Sequence, residues 1–170
     1  MKTLVTGGAG FIGSNLIDHL VRKGHKVIVL DNFSTGKRSN LIHHKKRNVR
    51  IVKIDISKNR KLYKYFKGVS YVFHLAGLAS FIQSIKNPNK YFSSNVVGTF
   101  NVIQAAKKAN IKKFIYTASA SCYGTPDKYP TSENANIRPM HPYAFTKWQA
   151  EELIMHWVKL YNFPAISLRL

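Results

Sequence analysis

Thr6-Gly7-Gly8-Ala9-Gly10-Phe11-Ile12-Gly13 is the stretch whose reading decides the fold. Apolar Leu4 and Val5 precede it, an amphipathic segment from Phe11 to Arg22 follows, and a second apolar run, Val27 to Leu30, closes on Asp31. That order is strand, glycine turn, helix, strand, acid, the arrangement that binds dinucleotides. Gly7 and Gly8 allow a turn that side chains would block, Gly10 lets the backbone approach a pyrophosphate, and Gly13 lets helix and strand pack closely. The free N–H groups opening the helix then face phosphate, helped by the helix dipole. Asp31, eighteen positions after Gly13, stands where a carboxylate accepts hydrogen bonds from an adenosine ribose. It would repel a 2′-phosphate, so NAD is favoured over NADP, although Lys37 and Arg38 follow closely enough to meet such a phosphate.

A chain of 170 residues, 45% hydrophobic, supports one well-buried core and is too short for two ordinary domains, so residues 1–170 are expected to form one Rossmann domain. The glycine run begins within a few residues of Met1, which leaves no room for a cleavable leader, and no window has the length of a membrane span. A soluble, cytoplasmic protein is expected. Cys122 has no partner for an internal disulfide and lies in an apolar alternating stretch, which reads as a small buried hydrophobe. The net charge of +20 raises the question of nucleic acid, with Lys45, Lys46, Arg47 and Arg50 beside His43 and His44. No helix-turn-helix, zinc or RNA-binding signature accompanies it, so the lysines read as a solvated surface with non-specific polyanion affinity. The seven histidines show no metal-ligand spacing, and no metal site is expected.

Further strands are read at Val49 to Ile54, Tyr71 to Leu75, Phe114 to Ala118 and Ala165 to Leu170. Helices are read at Lys58 to Phe66, Pro88 to Ala109 and Tyr143 to Tyr161. Alternating strands and helices predict a doubly wound parallel sheet of order 3-2-1-4-5-6, with ligand over the carboxyl ends of the strands. Asp55 ends the third strand, placed either to touch an adenine amino group or to cap the next helix. Leu75-Ala76-Gly77, after His74, is small enough to admit a flat ligand against the backbone. Asn95, polar inside a helix, reads first as a structural hydrogen-bonder to a neighbouring loop, with a relay role the second reading. The proline-punctuated loop from Thr125 to Pro142 is of a length that is usually functional.

Tyr143 and Lys147 are four apart at the start of a helix, so both side chains leave one face. A free phenol titrates near ~10, and a neighbouring ammonium favours its ionised form, which supplies a group that takes and returns a proton. Ser119, ending the fifth strand, is placed to hydrogen-bond an oxygen that alternates between hydroxyl and carbonyl.

Taken together, TGGAGFIG, Asp31, Asp55-Ile56, HLAG at His74 to Gly77, NVVGT at Asn95 to Thr99, SASCYG at Ser119 to Gly124, and Tyr143 with Lys147 resemble the extended short-chain dehydrogenase/reductases. Within them the chain is most similar to the NAD-dependent nucleotide-sugar epimerase/dehydratase family, of which UDP-glucose 4-epimerase is the best-known member. The resemblance implies Ser119, Tyr143 and Lys147 as the catalytic trio. It implies NAD contacts from Gly7, Gly10, Phe11, Ile12, Gly13, Asp31, Asn32, Asp55, Ile56, Leu75, Ala76, Gly77, Tyr143 and Lys147. The implied reaction is epimerisation of a nucleotide sugar, a UDP-sugar first, by transient oxidation at sugar C4, in a homodimer built through helices 88–109 and 143–161. Related dehydratases carry Asp-Glu just after the catalytic hydroxyl; Ala120-Ser121 here speaks against dehydration. Ala79 stands where some epimerases have a lysine, which leaves the sugar class open. Members continue past a strand like Ile166 to Leu170 into a substrate domain, so the 170-residue chain is expected to bind NAD and turn over sugar poorly. A dehydratase or reductase, and a non-catalytic NAD-binding module, remain the alternative readings.

Overall fold

The computed structural model describes residues 1–45, 47–58 and 61–170. Six strands form one all-parallel sheet: β1 (Lys2–Thr6), β2 (Lys26–Asp31), β3 (Val49–Lys53), β4 (Tyr71–His74), β5 (Lys113–Ala118) and β6 (Ala165–Arg169). Their order is β3-β2-β1-β4-β5-β6, as the alternating pattern predicts. Thr6 lies in register with Leu30 on one side and His74 on the other, so the ends of the three central strands are level.

The central strands are apolar on both faces because both faces are covered. Leu4, Ile28, Leu30, Val72 and Phe114 join one core with Phe66, Val102, Ile103 and Ile154. Val5, Val27, Val29 and Val49 join the other with Ile17, Leu20 and Leu41. Each fully buried aliphatic or aromatic side chain of this kind contributes roughly 1.5–3 kcal/mol of transfer free energy. Helix α1 (Phe11–Arg22) turns Gly13, Ser14, Ile17 and Leu20 inward, the spacing of one helical face, and the chain leaves it through Gly24 at φ +78°.

Three helical expectations are corrected. The segment read as one helix from Pro88 to Ala109 is α4 (Pro88–Tyr91), a π-helical stretch at Phe92–Val97, and α5 (Gly98–Lys108). The widened turn lies where the Asn95 side chain bonds a neighbouring loop instead of solvent. The helix read from Lys58 is reduced to α2 (Tyr63–Phe66), which ends at Gly68 with φ +69°; residues 59 and 60 of that reading lie outside the described residues. A short helix α3 (Phe81–Lys86) was not read at all, although Ser80 caps it by accepting from Gln83 N. The long C-terminal helix α6 (Pro142–Tyr161) begins one residue before its predicted start, with Pro142 in its first turn. It stops where Asn162 enters the left-handed region at φ +51°.

Candidate active site

The sheet order reverses between β1 and β4, and the candidate site is built at that switch point. Leaving β1, the chain turns at Gly7 with φ +69°, where a Cβ would lie 2.6 Å from Ala76 N. Gly7 N donates to Leu30 O and Gly10 N to Gly7 O, which locks the turn between the two neighbouring strands. A Cβ on Gly13 would lie 2.7 Å from Gly8 Cα, so its role is to let α1 pack against the turn. Gly10 differs: a Cβ there would meet nothing nearer than Gly7 O at 3.3 Å. Gly10 caps α1 with no side-chain hydrogen bond, and the first turn carries no acid. The opening N–H groups and the positive end of the helix dipole are therefore available to an anion.

A cleft of about 110 Å³ runs along this edge, lined by Gly7, Gly10, Asp31, Asn32, Asp55, Ile56, Leu75, Ala76, Gly77 and, from the helical side, Ser94. Nine of the fourteen sequence-predicted cofactor positions line this wall; Phe11, Ile12, Gly13, Tyr143 and Lys147 do not. Phe11 and Ile12 are exposed at the mouth of the turn, Phe11 to 84%. Asp31 is 8% exposed, and its carboxylate already accepts from Ala9 N at 2.9 Å and Phe33 N at 2.7 Å. It thus ties the glycine turn to the end of β2, a duty the sequence reading missed. Asp55 accepts from both Ser57 N and Ser57 Oγ. Its partial burial pushes the carboxyl up, but the Ser57 bonds outweigh this and hold it below the usual carboxylate range. Arg38, flagged for a possible 2′-phosphate, stacks its guanidinium over Phe33 at 5.7 Å.

Beyond β5, Ser119 caps a 3-10 turn at Ala120–Tyr123, its Oγ 2.8 Å from Ser121 Oγ. Tyr143 Oη donates to Ser119 Oγ at 3.3 Å, so the phenol and the strand-end hydroxyl meet. One helical turn on, Lys147 is 7% exposed. Its Nζ donates to Thr117 O and lies 4.3 Å from the centre of the Tyr116 ring. Burial is the main cause that lowers the Lys147 ammonium to about 7, opposed by Glu151 one turn further along α6. Glu151 is itself buried against Arg169, whose Nε lies 3.1 Å from both carboxylate oxygens.

Several supports of this site were not legible in the sequence. His141 caps α6 by accepting from Ala144 N, and its ring stacks on Tyr143 at 5.8 Å with planes 11° apart. Its position immediately before Pro142 is the signal that would have found it. Asn95, almost wholly buried, accepts from Leu78 N at 2.8 Å and donates to Leu78 O and to Thr146 Oγ1, both at 3.1 Å. This is the structural reading of Asn95, and it links the loop after β4 to the helix that carries Tyr143. His74 bridges Thr6 Oγ1 at 2.6 Å and Thr99 Oγ1 at 2.8 Å, and burial drives its pKa down to about 3. Cys122 is buried and its thiol is pushed up by that burial, consistent with a packing role.

One cluster of ligating groups was not visible in the histidine spacing. Asp18, His43 and His44 bring their ligand atoms within 4.8 Å of one another. Asp18 is 25 residues from His43 in the chain, so no sequence spacing joins it to the adjacent histidines.

With this geometry in view, the chain matches the model of the NAD dependent epimerase/dehydratase family over residues 3–170. The chain belongs to that family. Its members include a UDP-glucose 4-epimerase from Mycolicibacterium smegmatis, 41% identical over 168 residues that cover 95% of this chain and 53% of the relative. Among solved structures, a UDP-N-acetylglucosamine 4-epimerase from Methanobrevibacter ruminantium M1, in complex with UDP-N-acetylmuramic acid, superimposes with a TM-score of 0.94 at 37% identity. It is covered over 54% of its length by 99% of this chain. A UDP-glucose 4-epimerase from Brucella ovis in complex with NAD gives a TM-score of 0.91 at 32% identity, with 99% of this chain and 51% of that one covered. The chain spans about half the length of the family members it matches. Among the described residues no helix is long and apolar enough to cross a membrane.

Proposed function

We propose that this chain is the cofactor-binding and catalytic half of an NAD-dependent nucleotide-sugar 4-epimerase. The observation that carries the reading is the meeting of Tyr143 Oη with Ser119 Oγ at the same sheet edge as an uncapped glycine turn. The residues fit the cofactor: Gly10 presents bare backbone where a side chain would otherwise stand, and the opening amides of α1 lack a side-chain cap. Gly7, Gly10, Phe11, Ile12 and Gly13 would form the pyrophosphate cradle. Asp31, Asn32, Asp55 and Ile56 would hold the adenosine, and Leu75, Ala76, Gly77, Tyr143 and Lys147 the nicotinamide side. When bound, NAD supplies the acceptor and donor for oxidation and reduction at sugar C4.

The chain's own part is proton handling and orientation. Tyr143 takes the proton of the 4-hydroxyl and returns it when the hydroxyl is restored on the opposite face. Ser119, held by Ser121, donates to the same oxygen in its carbonyl form. Lys147, titrating near 7, places an ammonium beneath the site whose charge favours the ionised phenol. Asn95 and His141 hold α6 so that the phenol stays aimed at Ser119. Ala120-Ser121 in place of an acidic pair favours epimerisation over dehydration. A homodimer through the helical segment 88–109 and α6 fits the exposed Val97 and Phe100 on the first and Leu160 and Tyr161 on the second.

The test is interconversion of UDP-glucose and UDP-galactose, followed for the chain and for a chimera in which it replaces the matching half of the Mycolicibacterium smegmatis relative. The chimera converts the sugars, and Tyr143→Phe abolishes conversion while NAD still binds. A Tyr143→Phe chimera as active as its parent would overturn the assignment.

A further inference from the structure

Outside the catalytic edge, two elements distant in sequence bring three ligating groups together. Asp18 projects from α1, and His43 and His44 follow a 3-10 turn at Arg38–Leu41 whose Leu41 is anchored in the core beneath α1. Asp18 Oδ1 lies 2.9 Å from His43 Nε2 and 2.8 Å from His44 Nε2, and the two imidazole centres are 4.1 Å apart. His43 makes a hydrogen bond to the carboxylate. His44 does not: its side chain is 8% exposed, and its Nε2 is buried with no hydrogen-bond partner although it points into the cluster. Coordination to a cation would give this nitrogen the partner its present geometry denies it.

We propose that Asp18, His43 and His44 form a three-ligand site for a divalent cation of the zinc type, with the remaining coordination position open to solvent. Two imidazoles and one carboxylate are the donor set of borderline ions such as Zn²⁺, and not of Mg²⁺ or Ca²⁺, which take oxygen. The half-exposed His43 leaves a route for the ion to enter. Occupancy has a structural consequence. The segment that carries the two histidines also holds the glycine turn, through Lys37 N and Asn40 Nδ2, which both donate to Ala9 O. An ion clamping that segment to α1 therefore stiffens the turn from behind.

The experiment titrates ZnCl₂ calorimetrically into the purified chain after dialysis against a chelator, with thermal unfolding followed in Zn²⁺ and in Mg²⁺. One Zn²⁺ binds per chain, and Tm rises with Zn²⁺ but not with Mg²⁺. Asp18→Asn and His44→Ala each weaken Zn²⁺ binding at least tenfold, while His156→Ala, on an exposed face of α6, leaves it unchanged. Circular dichroism checks that each variant is folded; should His44→Ala fail that check, the exposed His43→Ala makes the same comparison. Absence of binding heat, unchanged affinity in the ligand variants, or equal loss in His156→Ala would overturn the proposal.

Discussion

Two glycines three residues apart in the same turn should respond to alanine in opposite ways. At Gly13 the added Cβ would sit 2.7 Å from Gly8 Cα, a backbone atom that cannot swing aside. Forcing a methyl into such a contact costs about 1–3 kcal/mol. For a chain of this size roughly 2–4 °C of Tm goes with each kcal/mol, so Gly13→Ala should unfold roughly 2–12 °C lower. At Gly10 the backbone sits at φ −76°, ψ 175°, open to any residue, and the new Cβ meets only Gly7 O at 3.3 Å. Loss of a glycine cap costs at most about 1 kcal/mol, so Gly10→Ala should keep its Tm within about 4 °C of the parent. That methyl nevertheless stands where the pyrophosphate is proposed to approach the backbone. If the close approach is worth about 1.4 kcal/mol or more, NAD affinity falls at least tenfold. Calorimetric titration with NAD and scanning calorimetry of the three proteins decide the matter. A Gly10→Ala chain that binds NAD like its parent, or a Gly13→Ala chain of unchanged Tm, would refute the reasoning.

Asn95→Ala strands the amide and carbonyl of Leu78 and one partner of Thr146, and urea unfolding should show a loss of about 2–5 kcal/mol, whereas a loss under about 1 would deny the network its role. Lys147 titrates near 7 in the folded chain against 10.5 when unfolded. Between those values the unfolded chain binds the extra proton, so stability rises with pH from about 7 to about 10 and the burial penalty is fully present below 7. Lys147→Met should remove this rise, read as a Tm difference between parent and variant that shrinks across that range; a constant difference would speak against it. Lowering the pH from about 6.5 towards 3 should destabilise the chain through His74, whose folded pKa is depressed to about 3, and His74→Phe should flatten that limb in parallel acid-unfolding curves.

The sheet was legible because fully buried parallel strands spell out apolar runs: Val27 to Leu30 needs no partner to be recognised. The glycine turn was legible because each glycine answers a local steric demand. Asn95 shows where that legibility ends. Its polarity inside a helix was visible, but the π-helical turn at Phe92–Val97 lies where its side chain bonds Leu78 and Thr146, contacts set only by tertiary packing. The double duty of Asp31 was hidden for the same reason, since Ala9 N reaches it across the turn. Helix α3 was missed because six residues carry too little periodicity against Phe81, Ile82 and Ile85, which stay exposed. Tyr143 and Lys147 were found by their spacing, whereas His141, stacked on the same phenol, offers no periodic signal.

The position of the nicotinamide decides whether Tyr143 and Ser119 can act on the sugar. A crystal structure of the chain grown with NAD measures this directly: the pyrophosphate should rest on the opening amides of α1, and the nicotinamide ring should lie beside the pair formed by Tyr143 Oη and Ser119 Oγ. A dinucleotide bound elsewhere, or bound in the cleft with its nicotinamide turned away from Tyr143, would contradict it.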